Sequence, residues 1–140
     1  MRKIVRSLAL ALVAMCGQAA RAEVVVIVSA QSEVEKLSSR QVANIYMAKD
    51  ACFPNGALAL PMDMHTGTAL RKKFYRKVVH RNAQQLRSYW SRRMASGVGQ
   101  PPREVGVNVD MKKLIADNPN TIGYITRSAV DASVRVVNVP

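Results

Sequence analysis

An uninterrupted β-branched run near the start of the chain constrains the fold most. Residues 24–28 read Val-Val-Val-Ile-Val, with no polar residue alternating between them. Such a run predicts a strand that is covered on both faces, as in a parallel sheet with helices on either side. Helical patterns and further strand patterns alternate after it, without an internal repeat or a linker. The sequence therefore predicts a single α/β domain with a small mixed, mainly parallel sheet flanked by helices.

The N-terminus predicts export. Three basic residues precede a short apolar stretch at residues 8–16, and Ala20 and Ala22 are small residues at the positions that a signal peptidase reads. We interpret residues 1–22 as a cleavable signal peptide and residues 23–140 as the domain, located in the periplasm. Two alternatives are an N-terminal membrane anchor, for which the apolar stretch is short, and a lipoprotein attached at Cys16, for which Met15 is a poor preceding residue.

Charge is unevenly distributed along the chain. The net charge is +12, and between Met64 and Arg103 there are ten Lys or Arg and no Asp or Glu. We call residues 64–103 the basic segment. Its field attracts phosphate, nucleic acid, lipid head groups or an acidic protein, although a plain solvated surface has the same composition.

Metal and enzyme sites have little support in the sequence. The predicted mature domain retains one cysteine, Cys52, so that an intramolecular disulfide is excluded. His65 and His80 are the only histidines, and no Cys or His pair has the spacing of zinc ligands. We find no catalytic Ser/His/Asp or Cys/His pattern, no carboxylate pair and no Walker-type loop. The sequence predicts a non-enzymatic protein without metal or cofactor.

The stretch Thr66-Gly67-Thr68 lies between a predicted strand at residues 58–62 and a predicted helix. The first N–H groups of a helix have no intrahelical partner, and the helix dipole makes that end partly positive. Gly67 lets an oxyanion approach the backbone, and the two threonine hydroxyls add donors. Arg71 adds a forked cationic donor, and Asp63 can accept the proton of hydrogen phosphate. We therefore predict an anion site made by Thr66, Gly67, Thr68, Arg71 and Asp63.

A simpler interpretation of the same stretch stays open. Thr66 can be an ordinary helix N-cap, with a value of about 1 kcal/mol. Asp63 and His65 can then be ordinary polar residues of a loop.

Several segments together resemble a known family. They are the helical segment 41–49, the Phe-Pro-Asn-Gly turn at 53–56, the pairs Phe74-Tyr75 and Tyr89-Trp90, the Gly-x-Gly-Gln-Pro-Pro loop at 97–102 and Ile-Gly-Tyr-Ile at 122–125. With the Thr-Gly-Thr stretch, they resemble the substrate-binding proteins of phosphate ABC transporters over residues 24–138. The similarity is greatest to short, single-domain relatives of that family.

This resemblance implies a type II periplasmic binding protein fold, of which the chain supplies about one lobe. It also implies that Thr66, Gly67 and Thr68 occupy the place of the family's phosphate-binding Ser-Gly-Thr. Two departures stand out. Met62 lies about where the family has an arginine, and the family's first Gly/Ser-rich anion loop has no counterpart. A one-sided site buries an anion incompletely, so that affinity is expected to be lower.

The leading hypothesis is a secreted binder of inorganic phosphate or a similar oxyanion, which serves an inner-membrane transporter or sensor, as a monomer or as a homodimer. An alternative is a cell-envelope interaction module that keeps the fold without binding the anion. Nucleic-acid binding through residues 71–103 is a third hypothesis. It is not expected, because the protein is predicted to be exported and Tyr89 and Trp90 are predicted to lie in the core.

Overall fold

A computed structural model describes residues 22–106 and 109–140. The predicted signal peptide, except for its last residue, lies outside the described residues. The strands are β1 (Val24–Ser29), β2 (Leu60–Asp63), β3 (Arg103–Glu104), β4 (Thr121–Thr126) and β5 (Val134–Asn138). The α-helices are α1 (Ser39–Tyr46), α2 (Ala69–Phe74), α3 (Ala83–Ala95) and α4 (Met111–Asp117). None of the helices in these two ranges is long and apolar enough to cross a membrane.

The five strands form one mixed sheet in the order β3-β2-β4-β1-β5. Strand β2 is parallel to both β3 and β4, whereas β1 is antiparallel to both β4 and β5. The α/β class and the mixed sheet are thus confirmed. The prediction that β1 lies among parallel neighbours was wrong, because a β-branched run reports burial of both faces and not the direction of the adjacent strands.

Burial of β1 on both faces is confirmed. Val24 to Val28 are all fully buried. Val24, Val26 and Val28 pack into the core that lies under α1, α2 and α3. Val25 and Ile27 pack on the opposite face with Met111 and Ile115 of α4. The sheet is therefore the middle layer of an α/β/α sandwich.

Two helices begin at the capping boxes that the sequence contains. Ser38 accepts from the N–H of Gln41, and Asn82 accepts from the N–H of Gln85, with the glutamine side chain returning to the cap backbone in each case. Helix α1 ends at Tyr46, whereas the helical segment of the sequence extends to Lys49. Ala48 lies after the helix in a left-handed conformation, with φ of 55°.

Helix α2 continues directly into a π-helical turn, Tyr75–Val79, which ends at His80 with φ of 58°. Phe74 and Val78 are buried as their spacing predicts. On α3, Leu86 and Trp90 are buried and Tyr89 is half-buried, but Met94 is 59% exposed. By helical spacing Met94 shares a face with Leu86 and Trp90, but it lies outside the core.

Candidate anion site at the carboxyl ends of three strands

A cleft of about 630 Å³ lies at one edge of the sheet. Because β3 and β4 are both parallel to β2, the carboxyl ends of all three strands meet there. The cleft is lined by residues that follow each of these strands, including Met64, Thr68, Val105 and Ala129. Ligands of open α/β sheets bind at the carboxyl ends of the strands, so the loops that line this cleft are candidates for a binding site.

The start of α2 differs from the starts of the other helices. Its N-cap is Thr68, which makes no side-chain cap; its hydroxyl instead donates to the carbonyl of His65 at 2.5 Å. By contrast, a side chain accepts from the first turn of α1, α3 and α4. Neither Thr66 nor Thr68 is therefore an ordinary side-chain cap, and the first-turn N–H groups of α2 have no cap from the N-cap side chain.

Gly67 leaves the backbone open just before this helix. Its φ is +97°, a conformation that other residues rarely adopt, and a Cβ atom built there would meet nothing within 4 Å. The glycine thus serves the turn itself and leaves space beside the peptide groups.

A carboxylate faces the same loop from β3. The Thr66 hydroxyl donates to Glu104 Oε1 at 2.6 Å, and His65 Nδ1 lies 4.0 Å from Glu104 Oε2. No pattern in the sequence marks Glu104 as a site residue, because β3 has only two residues. Its negative charge opposes an approaching anion, and the Thr66 hydroxyl has to turn away from it to donate to a ligand.

Asp63 lies beneath the loop and is 1% exposed. Its Oδ2 accepts from the Tyr75 hydroxyl at 2.6 Å, and its Oδ1 accepts from the Tyr124 hydroxyl and, at 2.9 Å, from the N–H of Met64. The carboxylate that we predicted to receive a ligand proton is thus bound by donors from the protein. Its contacts tie the loop to the π-helical turn that follows α2 and to β4.

Arg71 completes this buried cluster. Its Nε lies 3.3 Å from Asp63 Oδ2, and its guanidinium lies 4.9 Å from the centre of the Tyr75 ring. Burial acts to lower the pKa of Arg71, but the negative charge of Asp63 and its neighbours outweighs it, and the net pKa is raised. Arg71 does not line the strand-end cleft; it lines a second cleft between α2 and α3.

Three tyrosines around Asp63 are held in the neutral form. Burial, followed by the charge of Asp63 and a hydrogen bond to it, raises the pKa of both Tyr75 and Tyr124. Burial also raises the pKa of Tyr46, whose hydroxyl donates to the carbonyls of Met62 and Ile122. A neutral phenol can donate a hydrogen bond, which is what each of these sites requires.

These raised pKa values predict unfolding at alkaline pH. The unfolded-state pKa of tyrosine is about 10, so this contribution to stability is fully present below about pH 10 and is lost as the pH rises toward the higher folded-state values. In a Tyr89→Phe variant, which leaves only these three tyrosines, we expect phenolate absorbance to appear together with the loss of circular dichroism. Phenolate formation in a protein that still shows native circular dichroism would contradict the cluster.

The five predicted ligand residues therefore fall into two groups. Thr66, Gly67 and Thr68 form the loop, and Thr68 lines the cleft. Asp63 and Arg71 pair with each other below that loop. Within residues 22–106 and 109–140, no three His, Cys, Asp or Glu side chains group closely enough to hold a metal ion.

Comparisons with known proteins address the fold. No protein-family model matches the sequence, and no curated protein matches it either. Among solved structures, one from Clostridium perfringens described as a phosphate ABC transporter substrate-binding protein with bound phosphate matches 83% of this chain, with a TM-score of 0.65 and 22% identity. An ABC-type phosphate transport receptor from Vibrio cholerae matches 83% of the chain, with a TM-score of 0.65 and 18% identity. PstS from Borrelia burgdorferi matches 83%, with a TM-score of 0.61 and 10% identity.

The chain has the fold of phosphate-transporter substrate-binding proteins. The likeness that the sequence motifs predicted is thus confirmed at the level of fold. The match covers only 44%, 45% and 46% of the three neighbours, respectively, so that the chain spans less than half of the length of each. This chain therefore corresponds in fold to one part of each of these larger proteins.

Proposed function

We propose that this protein is an exported, non-enzymatic binder of a phosphate-type oxyanion. The observation that carries the proposal is the uncapped start of α2, which follows an open Gly67 at the carboxyl edge of the sheet. The fold supports it, because proteins described as binding or transporting phosphate share that fold. A helix N-terminus beside accessible backbone N–H groups suits an oxyanion.

In this proposal, the backbone N–H groups from Gly67 to the first turn of α2 donate to the anion. The hydroxyls of Thr66 and Thr68 turn from Glu104 and the His65 carbonyl, their present acceptors, to the ligand. Asp63 and Arg71 act from below by fixing the loop through Met64 and Tyr75. The basic segment raises the local concentration of anions.

Glu104 takes the role of proton acceptor that the sequence suggested for Asp63. It is partly exposed and already accepts from Thr66. Hydrogen phosphate has an O–H that can donate to this carboxylate, whereas sulfate has none and is repelled. The proposal thus includes a preference for phosphate over sulfate.

We further propose that the protein works in the periplasm with an inner-membrane ABC transporter or sensor. The cleft is open, and a bound anion would remain partly in water. A membrane partner, or a second copy of the chain, would cover it and increase affinity.

A second candidate function is an interaction module of the cell envelope without anion binding. Two contacts favour it, because Thr66 and Thr68 both donate to acceptors of the protein itself. Phosphate binding separates the two candidates.

The test is calorimetric titration of the purified protein, stripped of endogenous ligand, with phosphate and with sulfate. We expect saturable phosphate binding, and a loss of about tenfold or more in a Thr66→Ala/Thr68→Val variant, because two donors to a charged ligand are removed. Thr121→Val is the matched control, because its hydroxyl donates to the carbonyl of Asn118, away from the loop. Absence of heat up to millimolar phosphate would favour the interaction module.

A Glu104→Gln variant tests the proposed selectivity. Glutamine keeps a neutral carbonyl acceptor but has no negative charge, so the substitution relieves the repulsion of sulfate and weakens the hydrogen bond that the phosphate O–H donates. We therefore expect the ratio of phosphate to sulfate affinity to fall by about tenfold, as for the loss of one charged hydrogen bond. An unchanged ratio in the same calorimetric titrations would show that Glu104 does not contact the ligand.

A further inference from the structure

A second cleft, of about 610 Å³, lies between α2 with its π-helical turn and the start of α3. It shares no lining residue with the strand-end cleft. We call it the α2–α3 cleft. Its charged and apolar lining residues include Arg71, Lys72, Tyr75, Arg76, Arg81 and Leu86.

The rim of this cleft is cationic and unbalanced. Among the described residues that line it, four are Lys or Arg and none is Asp or Glu. In the part of the chain that the structure describes, only Arg71 among these four has a carboxylate within 4.0 Å. Lys72 and Arg76 are exposed and lie one helical turn apart, so that both can pair with carboxylates of a ligand.

The floor of the α2–α3 cleft is apolar. Tyr75 and Leu86 lie at its base, where they are 2% and 5% exposed. The exposed Ala83, with the methylene groups of Lys72 and Arg76, presents its accessible apolar surface. The π-helical turn and the left-handed His80 that follows it shape this side of the cleft. π-helical turns are rare in proteins and frequently occur at functional sites. An apolar floor inside a cationic rim suits a ligand that combines carboxylates with an apolar group.

We propose that the α2–α3 cleft docks an acidic segment of a protein partner. Carboxylates of that segment pair with Lys72, Arg76 and Arg81. An apolar side chain rests on Ala83 and on the methylene groups of the rim side chains, above Tyr75 and Leu86. Complementary charge steers the encounter and selects the partner, while the apolar contact adds affinity that does not depend on salt.

Other occupants fit the cleft less well. Nucleic acid requires exposed aromatic faces for stacking. The guanidinium of Arg71 lies 4.9 Å from the centre of the Tyr75 ring, and those of Arg81 and Arg93 lie 4.8 and 5.4 Å from the centre of the Tyr89 ring, so arginines already occupy these faces. A lipid surface requires exposed apolar residues that insert, and none of the exposed large hydrophobic residues in the described ranges lines this cleft. A second copy carries the same net positive charge.

Fluorescence anisotropy with two labelled acidic peptides tests the proposal. One peptide repeats Glu-Glu-Leu and the other repeats Glu-Glu-Ser, at equal length and charge. We expect the leucine peptide to bind about tenfold more tightly, because leucine buries apolar surface in the cleft and serine does not. Equal affinities would show that the cleft does not bind an apolar side chain, and would overturn the proposal.

A charge-matched pair of variants locates the binding. Lys72→Glu/Arg76→Glu reverses two exposed charges on the rim, and Lys36→Glu/Arg40→Glu reverses two exposed charges elsewhere, also four residues apart. We expect the first variant to weaken the leucine peptide by about tenfold more than the second. Equal losses would indicate a non-specific charge effect and overturn the proposal.

Two competitors complete the test. Single-stranded oligodeoxynucleotide and phosphatidylglycerol vesicles are added at the same charge concentration as unlabelled leucine peptide. We expect the unlabelled peptide to compete best. Stronger competition by the oligonucleotide or the vesicles would overturn a protein partner in favour of that class of ligand.

Discussion

Asp63→Ala is expected to lower the free energy of unfolding by about 3–5 kcal/mol, the range for breaking a buried ion pair from one side. The substitution leaves the hydroxyls of Tyr75 and Tyr124 and the N–H of Met64 without their acceptor, and Arg71 without its carboxylate. Urea denaturation followed by circular dichroism measures this loss. We expect the melting temperature to fall by about 10 °C or more.

Two further variants make this result specific. Asp63→Asn keeps a carbonyl oxygen for one tyrosine but loses the ion pair, so its loss should lie between those of Asp63→Ala and the unchanged protein. Asp50→Ala is the matched control, because Asp50 is exposed, and its loss should stay within about 0.5 kcal/mol. A loss below about 1 kcal/mol for Asp63→Ala would mean that water replaces the partners and that the loop is not held from below.

Phe74→Ala is expected to destabilise the protein by about 3–5 kcal/mol, the usual range for removing a buried phenyl ring. Phe74 is fully buried, and its ring stacks on Tyr124 with centroids 4.1 Å apart and an angle of 4° between the planes. It also packs against Tyr46 at 4.6 Å and Tyr75 at 5.2 Å. The cavity would lie among the three tyrosines that surround Asp63.

Met94→Ala is the control for this substitution. Both residues follow apolar helical spacing in the sequence, but Met94 is 59% exposed. We expect its loss of stability to stay within about 0.5 kcal/mol in the same urea titration. Similar losses for the two variants would contradict the placement of Phe74 at the centre of the core.

Local signals made several elements predictable from the sequence. The capping boxes at Ser38 and Asn82 each span four residues, and each starts a helix. The β-branched run of β1 likewise carries its own burial signal. Strand direction is different, because β1 meets β4 and β5 about 100 residues later in the chain, and no local pattern encodes whether they run parallel to it.

The candidate site shows the same division. The Thr-Gly-Thr loop and its position before a helix could be predicted from the sequence, because both depend on adjacent residues. The partners that decide the roles of its neighbours come from far along the chain: Tyr124 is 61 residues from Asp63, and Glu104 is 38 residues from Thr66. The sequence identified Asp63 as a residue of interest, but only tertiary contacts show that its carboxylate is bound within the protein.

The most direct test of an anion site at the start of α2 is a phosphate titration of isotope-labelled protein, followed by amide chemical shifts in nuclear magnetic resonance. We expect saturable shifts concentrated at residues 67–71, with the first turns of α1 and α3 unaffected and with much smaller changes for sulfate at equal ionic strength. Shifts spread along the basic segment without saturation, or no shifts at residues 67–71, would contradict an anion site at the start of α2.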